Sequence, residues 1–197
     1  MPFISGLLYV IGLLALCAFF YTWYKLVWFT VKMTALSSTL KKLQKKGVRV
    51  IWHKKLSKAV LGKRGEPTFD VMTPEQTYRI SLLSFISTHG RWNIEKTREH
   101  YYAEARHFNK WFYKVHNHSG TAETEFDTRR ELVVQRAELE LPPRDDSVKQ
   151  LLLIWPKPEA LTYSHARCEH LVTGSKLEHF EIMHAEDFLE LIDSNDS

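Results

Sequence analysis

"VKQLLLIWP" (148–156) holds five consecutive apolar residues, Leu151 to Trp155, with no polar residue alternating among them. A half-exposed strand alternates and a helix of this kind runs longer. A continuous apolar run of strand length is the mark of a central strand covered on both faces. The rest of the chain must therefore supply cover on two sides.

Working outward, "RRELVVQRAELEL" (129–141) reads as a long, half-exposed strand through Leu132 and Val134, ended by "PPRDDS" (142–147). Downstream, Leu171 to Gly174 and "KLEHFEIM" (176–183) suggest a closing hairpin. "AEDFLELI" (185–192) then predicts a terminal helix, with acids in its first turn favoured by the macrodipole and Phe188, Leu191 and Ile192 turned inward. Upstream, "FDVM" (69–72) and "TYRISLLSF" (77–85) flank the turn "TPEQ" (73–76). The spacing predicts a hairpin with Phe69 and Val71 on the same face as Tyr78, Ile80 and Leu82. "THGR" (88–91) is a further turn. "HYYAEARHFNKWFYKV" (100–115) fits a helix or a strand pair, and its aromatic load favours two strands. "HNHSGTAETEFD" (116–127) is a polar connector. Residues 66–197 thus form one α+β domain, a mixed, mostly antiparallel sheet with a C-terminal helix.

The N-terminal part is of another kind. Phe3 to Tyr24 is a run of 22 residues without a formal charge. As a helix it measures roughly 33 Å, against about 30 Å of bilayer hydrocarbon. Tyr21, Trp23, Tyr24 and Trp28 gather at its C-terminal end, beside Lys25 and Lys32, as residues of a headgroup interface do. A cleaved signal would want a positive start and a small-x-small site, yet no Lys or Arg precedes Lys25 and no such site follows the run. Leu16 before Cys17 argues against lipoprotein processing. Residues 1–32 are read as a single retained transmembrane helix.

Residues 1–65 carry 12 Lys or Arg and no acid, whereas residues 66–197 carry the other 15 against all 23 acids, giving +12 and −8 for the stated +4. By the positive-inside rule the N-terminus lies outside and the domain is cytoplasmic, at the cell inner membrane or another cellular membrane. Within this part, Leu36, Leu40 and Leu43 keep helical spacing up to a stop at Gly47. "VRVIW" (48–52) is β-prone, and Leu56, Val60 and Leu61 fit a short helix. Residues 33–65 are read as a basic juxtamembrane segment. Its expected contacts with anionic lipid headgroups run through Lys25, Lys32, Lys41, Lys42, Lys45, Lys46, Arg49, Lys54, Lys55 and Lys58. Nucleic acid is the less favoured partner, since aromatic interleaving in this stretch amounts to Trp52.

Catalytic constellations are sparse. Cys17 and Cys168 are isolated from each other, so no disulfide is expected within the soluble part. "HNH" (His116, His118) and "HARCEH" (His165, Cys168, His170) lack a third ligand at recognisable zinc spacing, and hydrogen-bonded histidines explain them better. Glu123, Glu125 and Asp127 read as a solvated loop. The hairpin with Asp70 vaguely looks like a PD-(D/E)xK nuclease core, but Tyr78, Arg79 and Ile80 stand where an acid-x-Lys would belong. No catalytic residue, metal or cofactor is assigned. The expected function is a membrane-tethered, non-catalytic interaction or scaffold protein with a protein partner; Trp92, Trp111, Phe112 and Tyr113 would suit such a contact, although core packing explains most of them better. The alternatives are a membrane-anchored divergent nuclease-like protein with Glu66 and Asp70 on a metal, or a nucleic-acid tether using residues 41–64.

Overall fold

The computed structural model describes residues 2–45, 47–56, 64–86, 90–98, 100–108, 131–164 and 168–194. Helix α1 (Pro2–Lys45) leads into β1 (Arg49–Trp52), β2 (Pro67–Met72), β3 (Thr77–Leu83), β4 (Arg91–Lys96), β5 (Tyr101–Phe108) and β6 (Glu131–Leu139). There follow β7 (Lys149–Ile154), β8 (Ala160–Ser164), β9 (Cys168–His170), β10 (Lys176–Leu177), β11 (Phe180–His184) and helix α2 (Ala185–Ser194). The architecture is α+β, but the strands form two sheets where one was expected. One has the order β1-β2-β3-β7-β11-β10 and the other β6-β5-β4-β8-β9.

The apolar run of β7 explains the layering. It lies between β3 and β11, parallel to both. Leu151 and Leu153 join the core on the helical side, while Leu152 and Ile154 join the core shared with the second sheet. All four are fully buried. Helices cover only one face of such a strand, so the other face needs its own layer. That layer is the second sheet, which contributes Trp92 and Ile94 of β4, Ala103 and Ala105 of β5, and Leu161 of β8. Phe85 meets Trp92 edge to face at 5.0 Å within this inter-sheet core.

The predicted β2–β3 hairpin forms in the expected register, Val71 opposite Tyr78 and Phe69 opposite Ile80. Thr73 closes its turn, with its amide donating to the Gln76 carbonyl and its hydroxyl accepting from the Gln76 amide. Strand β6 does not alternate cleanly: Val133 and Val134 are both exposed. Gln135 pairs with Ala105 and Val133 with Arg106, so Val134 is the extra residue of a bulge. A hairpin closes the chain, but inside 176–184: β10 pairs with β11, whereas Leu171 to Gly174, expected as its first arm, form a turn and no strand. Helix α2 forms as expected and buries Phe188 and Ile192, with Phe188 against Tyr78. Of the 100–115 stretch, β5 covers the first part. Trp111, Phe112, Tyr113, Val60, Leu61 and the 116–127 connector lie outside the described residues.

Helix α1 has two halves with different surroundings. From Leu7 to Trp28 its large apolar side chains are exposed, whereas Phe29, Met33, Leu36, Leu40 and Leu43 are buried against the first sheet. It ends in a Schellman arrangement: the Val48 amide donates to the Leu43 carbonyl and the Gly47 amide to that of Gln44, with Gly47 at φ 108°. Val48 and Val50 continue into the same core. Residues 33–65 therefore carry basic charge and at the same time supply core side chains.

Candidate functional site

The two halves of α1 meet at a cleft of about 370 Å³, where the helix leaves the sandwich. Trp28 and Lys32 come from α1, Trp155 to Glu159 from the β7–β8 loop, and Glu186 from the first turn of α2. Helical spacing of four sets Trp28 and Lys32 on one face. The loop is tied down by its backbone, since the Trp155 amide donates to the Leu83 carbonyl (3.1 Å) and the Glu159 amide to that of Gly90 (3.0 Å). Trp155 also donates its indole N–H to the Lys32 carbonyl at 3.3 Å. The Lys32 ammonium stands 5.6 Å from the Trp28 ring centroid and 5.9 Å from that of Trp155, a cation shared by two indole faces. Beneath the loop, burial holds the His184 imidazole below its ordinary pKa, and the neighbouring Lys157 ammonium adds to this.

Lys32, Lys157, Glu159 and Glu186 bring two charges of each sign to this cleft, yet among the described residues none of the four is in an ion pair. A larger cleft of about 560 Å³, between residues 144–150 and 176–181, behaves differently. There Arg144 pairs with Asp146 (2.6 Å), Lys149 with Glu181 (2.8 Å), and Asp145 with Arg79 (2.6 Å). Its charges are largely spent on one another.

The residues expected at a lipid surface divide by position. Lys25 and Lys32 flank the junction, and Lys25 lies over the Tyr21 ring at 4.5 Å. Lys41, Lys42 and Lys45 are exposed. They lie 13 to 17 residues beyond Trp28 on the same helix, roughly 20 to 25 Å along its axis. Arg49 is exposed at the start of β1. Because β1 and β3 both run antiparallel to β2, the end of β1 returns toward the junction with Lys54 and Lys55. Lys46 and Lys58 lie outside the described residues.

Asp70 and Glu66 have separate partners. Glu66 is paired with Lys54. Asp70, 5% exposed, has His53 Nε2 at 3.1 Å and Arg79 Nε at 3.4 Å. Arg79 also donates to Asp145, whose carboxyl is held below its usual pKa by the hydroxyl and amide of Ser147 and by Arg79. Asp70 thus faces an imidazole and a guanidinium, and among the described residues no group of three or more His, Cys, Asp or Glu converges. His116, His118, Glu123, Glu125, Asp127 and His165 lie outside the described residues, while His170 is exposed on β9.

One arrangement escaped sequence reasoning. On the outer face of the second sheet, Arg136, Glu104, Asn93, Thr162 and His170 stand in register across all five strands. Glu104, 3% exposed, accepts from Arg106 at 2.7 Å and has Arg136 at 3.4 Å. Asn93 Oδ1 accepts from the hydroxyls of Thr162 and Ser164, each at 2.9 Å. The alternation in "RWNIEK" (91–96) and "YYAEAR" (101–106) carried the signal, with Trp92, Ile94, Ala103 and Ala105 inward and the polar residues outward. Comparison with protein-family models, with curated proteins and with solved structures gives no match to this chain.

Proposed function

We propose that this chain is a single-pass, membrane-tethered protein. Its N-terminal residues lie across the bilayer, its sandwich lies on the cytoplasmic side, and it acts without catalysis as an interaction or scaffold protein at the inner membrane face. The observation that carries the reading is α1 itself. It is one helix long and apolar enough to cross a membrane by length and composition, and the qualifying window is not buried. A helix that merely filled a soluble core would hide those side chains. An exposed apolar surface of this extent needs a non-aqueous partner. A signal sequence shares the same length and composition, but this helix runs without a break into Phe29, Met33 and Leu36, which the sandwich buries.

Charge supports the orientation. The +12 of residues 1–65 acts during insertion, while the chain is still unfolded, so Lys41, Lys42 and Lys45 count toward topology wherever they end up. In the folded protein, 20 to 25 Å exceeds the Debye length of about 8 Å severalfold, even with a tilted helix. Steady lipid contact therefore falls to Lys25, Lys32 and the returning Lys55, Lys54 being paired with Glu66. Asp70 and Glu66, each closed onto a cation, lend no support to the hydrolase alternative.

Two measurements test the proposal. Membranes carrying the full-length chain should retain it through alkaline carbonate washing, and protease added to intact cells should spare the C-terminal domain. Release by carbonate, or digestion of the domain from outside, would overturn the tether or its orientation. For the interaction role, cross-linking in native membranes should join the sandwich to a second protein; a domain recovered only alone under saturating cross-linker counts against it.

A further inference from the structure

We propose that the cleft between α1 and the β7–β8 loop is a binding site for one zwitterionic, ethanolamine-type phospholipid head group. The inference rests on the membrane-tether reading, because that reading sets Trp28 and the cleft at the polar boundary of the bilayer. Two observations carry it further. The first is position: Trp28 ends the exposed apolar half of α1 and Phe29 begins the buried half, so the loop carrying Trp155 packs where acyl chains give way to head groups. Paired indoles are at home at that depth, with apolar rings and one polar N–H each.

The second is charge. Lys32 and Lys157 can receive a lipid phosphate, while Glu159 and Glu186 can receive an ammonium, and none of the four is neutralised by an ion pair with another described residue. A head group with one charge of each sign answers both sets. A purely anionic head group would leave two carboxylates facing its charge. Choline is also zwitterionic, but its quaternary nitrogen has no N–H to donate to a carboxylate and prefers aromatic faces. Here Lys32 already stands over both indoles. A primary ammonium brings three donors for Glu159 and Glu186.

The test uses the full-length chain extracted in mild detergent, with native mass spectrometry during titration with phosphatidylethanolamine, phosphatidylcholine or phosphatidylglycerol. We expect one retained phosphatidylethanolamine per chain, held about tenfold more tightly than either competitor, the ratio a single added charged hydrogen bond supplies. Lys157→Gln should reduce that retention about tenfold, and Glu159→Gln should shift preference toward phosphatidylglycerol. Both positions are exposed, so neither change threatens the fold. Equal retention of the three lipids, or variants that behave as the parent, would overturn the site. Carbonate washing of the same membranes separates the two levels. A chain that resists washing yet shows no preference refutes the head-group site alone, and a chain that washes off refutes the tether beneath it.

Discussion

Asp70 is a buried strand carboxylate with a charged partner across the hairpin. It sits directly opposite Arg79 in the β2–β3 pairing, with His53 closing its other oxygen. Removing it leaves Arg79 half-buried and dependent on Asp145 alone. We expect Asp70→Ala to destabilise the protein by about 1 to 3 kcal/mol in urea unfolding, the usual contribution of a hydrogen bond to a charged group. Arg79→Met should cost at least as much, since it leaves the more deeply buried Asp70 with His53 alone and removes the partner of Asp145 as well. His184 acts through pH. Its folded pKa lies below the ordinary value because it is buried, with Lys157 close by. The unfolded chain therefore takes up the proton first. The stabilisation is present above the unfolded pKa of about 6.5 and is lost as pH falls below it toward the folded value. Unfolding midpoints measured between pH 7.5 and 5.5 should fall, with a slope from this group of at most about 1.4 kcal/mol per pH unit. His184→Gln should flatten that part of the profile, and an unchanged slope would assign the effect to other groups.

At the scale of elements, β7 was legible because its burial on both faces removes all alternation, and periodicity is what a single sequence displays. The β2–β3 hairpin was legible for the complementary reason, its alternation being intact from Phe69 to Leu82. The second sheet was harder to read, because β4, β5 and β8 carry polar residues, Asn93, Glu104 and Thr162, on their outer face although these too are buried, and their inner residues include small alanines, Ala103 and Ala105. Nothing local says that their partners lie on another sheet. The link between the sheets also includes Arg64, whose amide donates to Glu138 and whose carbonyl accepts from the Glu140 amide, bringing the segment before β2 onto β6. Gly65 makes this approach sterically feasible. It has φ 87°, and a Cβ there would come within 2.5 Å of the Glu140 carbonyl oxygen. Gly65→Ala combines a disfavoured backbone conformation with a clash against backbone that cannot swing aside. A loss of about 2 kcal/mol or more in thermal unfolding is expected. Gly47→Ala also meets a positive φ but has open space around its Cβ, so it should cost less, about 1 kcal/mol.

At the scale of the whole molecule, α1 has an exposed apolar half and a half buried against the first sheet. Hydropathy reveals the first half directly. The other half is hidden among lysines, where Leu36, Leu40 and Leu43 read as a continuation of the anchor helix or as a short surface helix; the continuation is what forms, and its leucines are buried. The cleft was illegible for the same reason: Trp28, Trp155 and Glu186 are remote in sequence and meet only because the helix, the β7–β8 loop and α2 converge on one end of the sheet. This division predicts opposite outcomes for two truncations. Deleting residues 1–24 removes exposed apolar side chains and leaves Phe29 to Leu43 in place. The remaining chain should express as a soluble, cooperatively unfolding domain, monodisperse in size-exclusion chromatography. Deleting residues 1–45 removes five buried side chains from one core, each worth about 2 to 5 kcal/mol when truncated. Against a typical net stability of about 5 to 15 kcal/mol, the sandwich should lose its cooperative transition and aggregate. If the shorter fragment instead folds as well as the longer one, α1 is an anchor and nothing more. If the longer fragment is itself insoluble, the boundary at Trp28 is drawn too early and the lipid-facing surface extends further down the helix.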